Sequence, residues 1–276
     1  MKIDHSLISV LVNTSENLNA SVCLVGGSVR DYVLNRDVFD LDFVVEGVNA
    51  IDFVKKAFPN NKKRVHRRFM TVSVFLDRHG WVDFASAREE SYKECGAMPD
   101  VRASVIEKDL FRRDFTVNAM AMGIGAGRFE EGQLIDLYNG MRAIKEKTLD
   151  VLHNKSFWDD PIRILRGVRL AIRLGFSFGD NTIELIKQAR ENNFLTKVPK
   201  ERIRDELLLA FSEPDPAQVL LKEYELLSLD WISENIDVSN LHDVKGILDF
   251  FSLMERKEAV RVIDEFKFPK KLLKRL

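Results

Sequence analysis

Apolar and polar residues follow two different rhythms along the chain. In residues 1–20, Leu7, Val10, Leu11 and Leu18 recur at helical spacing, which predicts an amphipathic helix. From residue 22 the rhythm shortens. Residues 22–25 form an apolar run that ends at Gly26 and Gly27. Residues 28–34 read as a short helix, and a second strand carries Asp40 and Asp42. Residues 51–58 predict a helix stopped by Pro59. Residues 70–76 and 81–84 predict two strands flanking a hairpin turn at 77–80. Residues 86–108, with Gly96, Pro99 and mixed charge, lack periodicity and read as a loop. From Ala143 onward every segment has helical spacing and none alternates like a strand. The pattern predicts an α+β fold: a small mixed sheet with helices over residues 1–143, a helical neck over 144–214 and a helical body over 215–276.

The strand-turn-helix-strand at 22–46 carries the first candidate chemistry. Glycine lets backbone approach a ligand closely because no Cβ intervenes. A helix starting at Ser28 turns its N–H groups and positive end toward the turn, making a seat for phosphate. Side chains alternate along a strand, so Asp40 and Asp42 share a face. Two carboxylates beside a phosphate seat suit a hard divalent cation such as Mg²⁺. Further on, LFRRDFTVNAMAM (110–122) opens a helical apolar run with Arg112, Arg113 and Asp114. A guanidinium forks two hydrogen bonds onto phosphate, and Asp114 is suited to hold an arginine in place. Asn118 offers donor and acceptor groups to a sugar or to the backbone.

Composition narrows the choices only a little. The 276 residues are 45% apolar and 31% charged, with formal net charge −1, enough for one large or two modest cores. No apolar run approaches the roughly 18 residues of a membrane span, and residues 1–20 lack a cleavage site, so neither a span nor a signal peptide is expected. Two cysteines, Cys23 and Cys95, are too few for a disulfide framework or a zinc site, which fits a cytoplasmic protein. Basic residues are clustered instead of spread: Lys62, Lys63, Arg64, Arg67 and Arg68; 163–173; and 267–275. That distribution suits local contact with nucleic acid.

Residues 158–176, WDDPIRILRGVRLAIRLGF, are the second informative stretch. Asp159, Asp160 and Pro161 suit a helix start and Gly175 a stop. Projected at about 100° per residue, Ile164, Leu165, Val168, Ala171 and Ile172 form a buried face. Arg166, Arg169 and Arg173 line the far side, with Arg163 further round. No acid lies among these arginines, and an uncompensated stripe favours an anion, either triphosphate or RNA backbone. Asp160 and Arg163, one turn apart, pair an acceptor with a fork of donors. The carboxylate suits the amino group of C or A, and the guanidinium a ring nitrogen or carbonyl.

Together, Gly-Gly-Ser-Val-Arg-Asp (26–31), Asp-Leu-Asp (40–42), Arg-Arg-Asp-Phe-Thr-Val-Asn-Ala (112–119), 134–140, 158–176 and ERIRDELLLAF (201–211) resemble the class II tRNA nucleotidyltransferase and bacterial poly(A) polymerase family. The resemblance implies a polymerase-β-like nucleotidyltransferase head followed by an all-α neck and a body short for that family. It implies an enzyme adding A from ATP to the tRNA 3′ end, with C from CTP left open as a second substrate, and with Mg²⁺ held by Asp40 and Asp42. It further implies that Asp83 completes an acidic cluster and that Gly26, Gly27, Arg30, Arg113, Asp114 and Asn118 serve the nucleotide. Asp160 and Arg163 would read the base, and Arg166 and Arg169 hold the phosphates or the base. Relatives usually carry Glu where this chain has Asp159. The wording of residues 88–110 resembles members that add only the terminal A. The alternatives within this resemblance are a poly(A) polymerase, whose C-terminal region is usually longer and more basic, and a non-catalytic nucleotide- or RNA-binding relative, which would be expected to have lost one of Asp40 and Asp42. Residues 201–211 are expected to pack, with Arg202, Arg204 and Asp205 bracing the neck.

Overall fold

A computed structural model describes residues 4–38 and 40–275. The chain divides into two compact units, Met1–Ser91 with Pro99–Glu146, and Tyr92–Met98 with Lys147–Leu276.

The first unit opens with α1 (His5–Leu18), capped at its start by Asp4, whose carboxylate accepts from the Ser6 amide at 3.0 Å. Asn19 ends it in the left-handed conformation. Then come β1 (Ser21–Val25), α2 (Gly27–Val33), β2 (Asp42–Glu46), α3 (Ala50–Ala57), β3 (Lys63–His66), β4 (Thr71–Leu76), β5 (Gly80–Ser86), β6 (Arg88–Ser91), β7 (Asp100–Ala103), α4 (Ile106–Phe111), β8 (Ala121–Ala126), β9 (Leu134–Ile135) and α5 (Gly140–Glu146). Seven strands form one mixed sheet in the order β3-β4-β5-β2-β1-β8-β9. β2 pairs parallel with β5, and its pairing with β1 is antiparallel. Leu7 and Leu11 of α1 and Phe53 and Val54 of α3 join Val22, Leu24, Phe43, Val45, Val74 and Phe84 in the core. Phe43 stacks on Phe84 at 5.1 Å between centroids, which fastens β2 to β5 beside the acidic residues.

Three expectations about this unit need correction. Residues 86–108 are not simply a loop: β6 and β7 pair antiparallel from Arg88↔Ala103 to Ser91↔Asp100. The apolar run after Arg113 is not helical. It passes through a single turn at Thr116–Asn118 into β8, which is buried between β1 and β9. A central strand needs no polar face, so its period resembles that of a buried helix. Asp40 lies just before β2, which starts at Asp42.

The second unit contains β10 (Thr148–Leu149), α6 (Ser156–Asp159), α7 (Ile162–Leu174), β11 (Ser177–Phe178), α8 (Asp180–Glu191), α9 (Lys200–Ala210), α10 (Pro216–Leu227), α11 (Ile247–Ser252) and α12 (Arg256–Glu265). It is almost all helical as expected, apart from the two-residue parallel pair β10 and β11. α7 begins after Pro161, not at Asp159, and Gly175 closes it with φ 69°. Its buried side chains include Ile164, Leu165, Val168 and Ala171, as projected, and also Arg163.

Candidate active site

In the first unit, the register of the sheet brings two of the acids together. Asp42 of β2 is the direct partner of Asp83 on the parallel strand β5, and partners in register share a face. The Asp83 amide donates to the Leu41 carbonyl at 3.0 Å. Ser28, in the first turn of α2, donates its hydroxyl to the Asp40 carbonyl at 2.7 Å, and its oxygen accepts from the Asp42 amide at 3.4 Å. One hydroxyl thus fixes the backbone of both acids to the helix after Gly26-Gly27.

Burial pushes the Asp42 carboxyl up to about 6. The nearby Arg113 opposes that shift, and Asp83 and Asp40 add to it. Crowded carboxylates of this kind are relieved by a cation, and an all-oxygen donor set suits a hard one. The residues present therefore fit a divalent ion held by Asp40 and Asp42. Among the described residues no group of three or more His, Cys, Asp or Glu side chains is placed to hold a metal ion. Asp83 stands beside Asp42 as a neighbouring charge.

Arg113 lies over Gly26. A Cβ built on Gly26 would meet the Arg113 Nη1 at 2.7 Å and push that guanidinium aside, and the φ of 72° is one that favours glycine. The Arg113 Nη2 donates to Asp109 at 3.0 Å, while its Nε is buried with no hydrogen-bond partner. Asp109 is fully buried. Burial alone would raise its carboxyl, but Arg112 and Arg113 outweigh that and hold it below the usual range. Arg112 also donates to Glu90 of β6 at 3.1 Å. The anchor for the arginine pair is thus Asp109, not Asp114 as read from the sequence. Asp109 precedes Arg112 and Arg113 by three and four residues, a helical spacing that was legible in principle. Asp114 accepts from the Phe115 amide and from Asn118.

Arg30 and Asn118 belong to one hydrogen-bonded network. Arg30 is buried and makes a two-pronged contact with Asp31, both bonds at 2.9 Å, while its Nη1 donates to the Asn118 carbonyl oxygen at 2.6 Å. The Asn118 amide nitrogen donates to Asp114 at 3.1 Å. Asp31, Arg30, Asn118 and Asp114 form one hydrogen-bonded chain linking α2 to the Thr116–Asn118 turn. These groups hold the scaffold under Gly27.

In the second unit, the arginine stripe of α7 is not uncompensated. Arg169 donates to Glu206 at 2.8 Å and to Glu213 at 3.2 Å. Arg173 donates to both oxygens of Glu213. The acids come from α9 and the turn after it, about forty residues on, where no spacing rule reaches. Arg169 is therefore a strut between helices, while Arg166 and Arg173 are exposed. Nearby on α10, Glu223 is fully buried with one oxygen unpartnered, and burial, with Glu206 adding, pushes its carboxyl up to about 8.

Asp160 sits in the break between α6 and α7 with extended backbone. Its carboxylate accepts from the Arg202 Nη2 at 3.0 and 2.8 Å and from the Ile162 amide at 3.3 Å. Arg163 is 5% exposed and donates to the Ser156 hydroxyl at 2.9 Å. The sequence placed Arg202 among bracing residues and did not connect it to Asp160.

Comparison with known proteins agrees with this architecture. Residues 22–150 match the family described as Poly A polymerase head domain, and residues 175–229 match the one described as Probable RNA and SrmB-binding site of polymerase A. An A-adding tRNA nucleotidyltransferase of Aquifex aeolicus (strain VF5) is 36% identical over 86% of this chain, which spans 29% of that protein. The chain thus spans less than a third of the first curated relatives it matches. A solved CCA-adding enzyme in an apo form superposes with TM-score 0.84 at 30% identity, covering 99% of this chain and 70% of that one. A CCA-adding enzyme solved in complex with ATP gives TM-score 0.80 at 30% identity, over 98% of this chain and 68% of that one. With matches over both the sheet-bearing head and the helical region, and 30% identity to a solved CCA-adding enzyme of which it covers 70%, the chain belongs to the tRNA nucleotidyltransferase and poly(A) polymerase family.

Proposed function

We propose that this chain adds nucleotides, A and also C, from ATP and CTP to the 3′ end of tRNA, completing or repairing its CCA terminus. One observation carries the reading: Asp42, with Asp40 and Asp83 as charged neighbours, stands near an arginine seated over the Gly26 backbone. The names of the relatives and the ATP complex of a structural neighbour support it.

Asp40 and Asp42 would hold Mg²⁺, which fits the general use of divalent metals in nucleotidyl transfer. Bound there, Mg²⁺ supplies charge that lowers the pKa of the attacking 3′ hydroxyl and steadies the pyrophosphate leaving group. Arg113, with its unpartnered Nε, brings positive charge to the triphosphate. Gly26 lets that triphosphate lie close to the backbone, and Ser28 keeps the two acids in register with it. Asp160 accepts from the amino group of the incoming A or C, Arg163 supplies donors, and Arg166 contacts phosphate. Most of the catalytic work here is positioning and charge stabilisation, as in other phosphoryl transfers. The compartment we propose is the cytoplasm, where tRNA and nucleoside triphosphates meet. Among the described residues no helix is long and apolar enough to cross a membrane.

The test offers the purified chain tRNA ending before CCA, after C and after CC, with ATP, CTP or both, in Mg²⁺ buffer. Extension of CC-ended tRNA by a single A is the expected minimum result. Long A tails on arbitrary RNA, or no extension of any tRNA, would contradict the reading.

A further inference from the structure

We infer that Arg202 is a further specificity-determining residue, adding a donor to that of Arg163 on a base-reading edge whose acceptor half is Asp160; this rests on the nucleotidyl-transfer reading above. Adenine and cytosine present the same kind of edge: an amino donor beside a ring-nitrogen acceptor. A reader of both needs a fixed acceptor and a fixed donor side by side.

Asp160 and Arg202 are side by side. A carboxylate has about four acceptor positions. Three on Asp160 are taken, two by the Arg202 Nη2 and one by the Ile162 amide, which leaves room on Oδ2 for one further donor. The guanidinium fixes the orientation of the carboxylate. Arg202 uses only Nη2 in this contact, so its Nε and Nη1 hydrogens remain to meet a ring nitrogen.

Exposure points the same way. The Arg202 side chain is 31% exposed and that of Asp160 18%, whereas Arg163 as a whole is 5% exposed and bonded to Ser156. The more accessible donors beside Asp160 belong to Arg202. A pure brace between α9 and the start of α7 would use the same ion pair, so the test must separate reading from bracing. Lysine is a poor substitute for a reader, because a point charge lacks the planar fork. It is an adequate substitute for a brace.

The experiment measures kcat and KM for A addition to CC-ended tRNA by the wild-type chain, Arg202→Ala and Arg202→Lys. Substrates are ATP and 1-deaza-ATP, which lacks the ring-nitrogen acceptor. CTP addition to C-ended tRNA and the Tm of each variant are measured in parallel. Loss of one hydrogen bond to a charged donor is expected to lower kcat/KM by about 10- to 100-fold. Arg202→Ala with ATP and the wild type with 1-deaza-ATP should each show that loss, mostly in KM, and combining them should add almost nothing. Arg202→Lys should not restore ATP use. The inference is overturned if the two losses multiply, if Arg202→Ala leaves kcat/KM unchanged, or if a lowered Tm accounts for the loss and Arg202→Lys restores both. Asp160→Ala separates this inference from the reading beneath it. If Asp160→Ala loses the selectivity for ATP and CTP over GTP and UTP and the Arg202 variants do not, only the role of Arg202 fails. If Asp160→Ala keeps that selectivity, the base-reading role of this region fails with it.

Discussion

The two units use arginine and carboxylate in opposite ways. In the first, Asp40, Asp42 and Asp83 lie close enough to raise the Asp42 carboxyl, while Arg113 keeps a buried Nε unpartnered and spends one bond on Asp109. In the second, Arg169 and Arg173 are taken up by Glu206 and Glu213. Groups left short of partners carry a cost, and a charged ligand offsets it. Groups already paired hold helices together. The residue types alike point to phosphate or metal; their partners tell the two regions apart.

The sharpest way to break the comparison is to remove Asp42. Asp42→Asn should lower nucleotide addition by about a thousandfold or more, since the ion it would hold supplies several kcal/mol of transition-state stabilisation. Its Tm should stay equal or rise, because a crowded, half-buried carboxylate is relieved. Circular dichroism melts alongside the tRNA extension assay check both halves. If Asp42→Asn kept its activity and lost stability, the first unit would be behaving like the second.

Glu213→Ala should do the reverse. It takes Glu213 from Arg169, which keeps Glu206, and from the half-exposed Arg173, and losing hydrogen bonds to charged groups costs about 1.5–3 kcal/mol. Denaturant unfolding should show that loss, with addition retained at temperatures where the variant stays folded. Gly26→Ala should have a smaller effect on the transfer site. A Cβ at φ 72° would push the Arg113 guanidinium aside, and loss of one positioned donor costs about a hundredfold in rate. Gly27, whose nearest neighbours are the Arg30 guanidinium atoms at 3.4 Å and beyond, should tolerate alanine better.

The smallest effect concerns pH. Glu223 is held up at about 8 in the folded chain, against about 4.5 when unfolded. The folded state therefore binds more protons than the unfolded state between those values, and stability falls as pH rises through that window. Below about 4.5 the full contribution is present; above about 8 it is gone. Glu223→Gln should remove this slope and raise the Tm at pH 8.5 by a few degrees, with little change at pH 5. A Tm profile from pH 5 to 9 for both chains tests it.

Much of the first unit was legible because its signals are local. The strand before Gly26, the α3 helix before Pro59 and the hairpin of β4 and β5 all follow from neighbours within a few residues. β8 was misread because a strand buried on both sides has no polar alternation to announce it. The candidate site divides along the same line. Asp40, Asp42 and Gly26 sit within one short stretch of chain, and the Asp42↔Asp83 pairing followed once β5 was placed beside β2. Glu206 and Glu213 against Arg169, and Arg202 against Asp160, are pairings across about forty residues that only the packing of α7 against α9 creates. The helical projection found the faces of α7 correctly, but it could not see what another helix would lay against them.

The account stands on Asp40 and Asp42 holding the cation that accompanies a bound nucleoside triphosphate. Titration of Mn²⁺, as a paramagnetic stand-in for Mg²⁺, into the chain with a non-hydrolysable ATP analogue measures this directly. The wild-type chain should take up Mn²⁺ beyond the analogue's own share, and the Asp40→Asn/Asp42→Asn double variant should not, at equal Tm. Equal uptake by both chains would contradict the account.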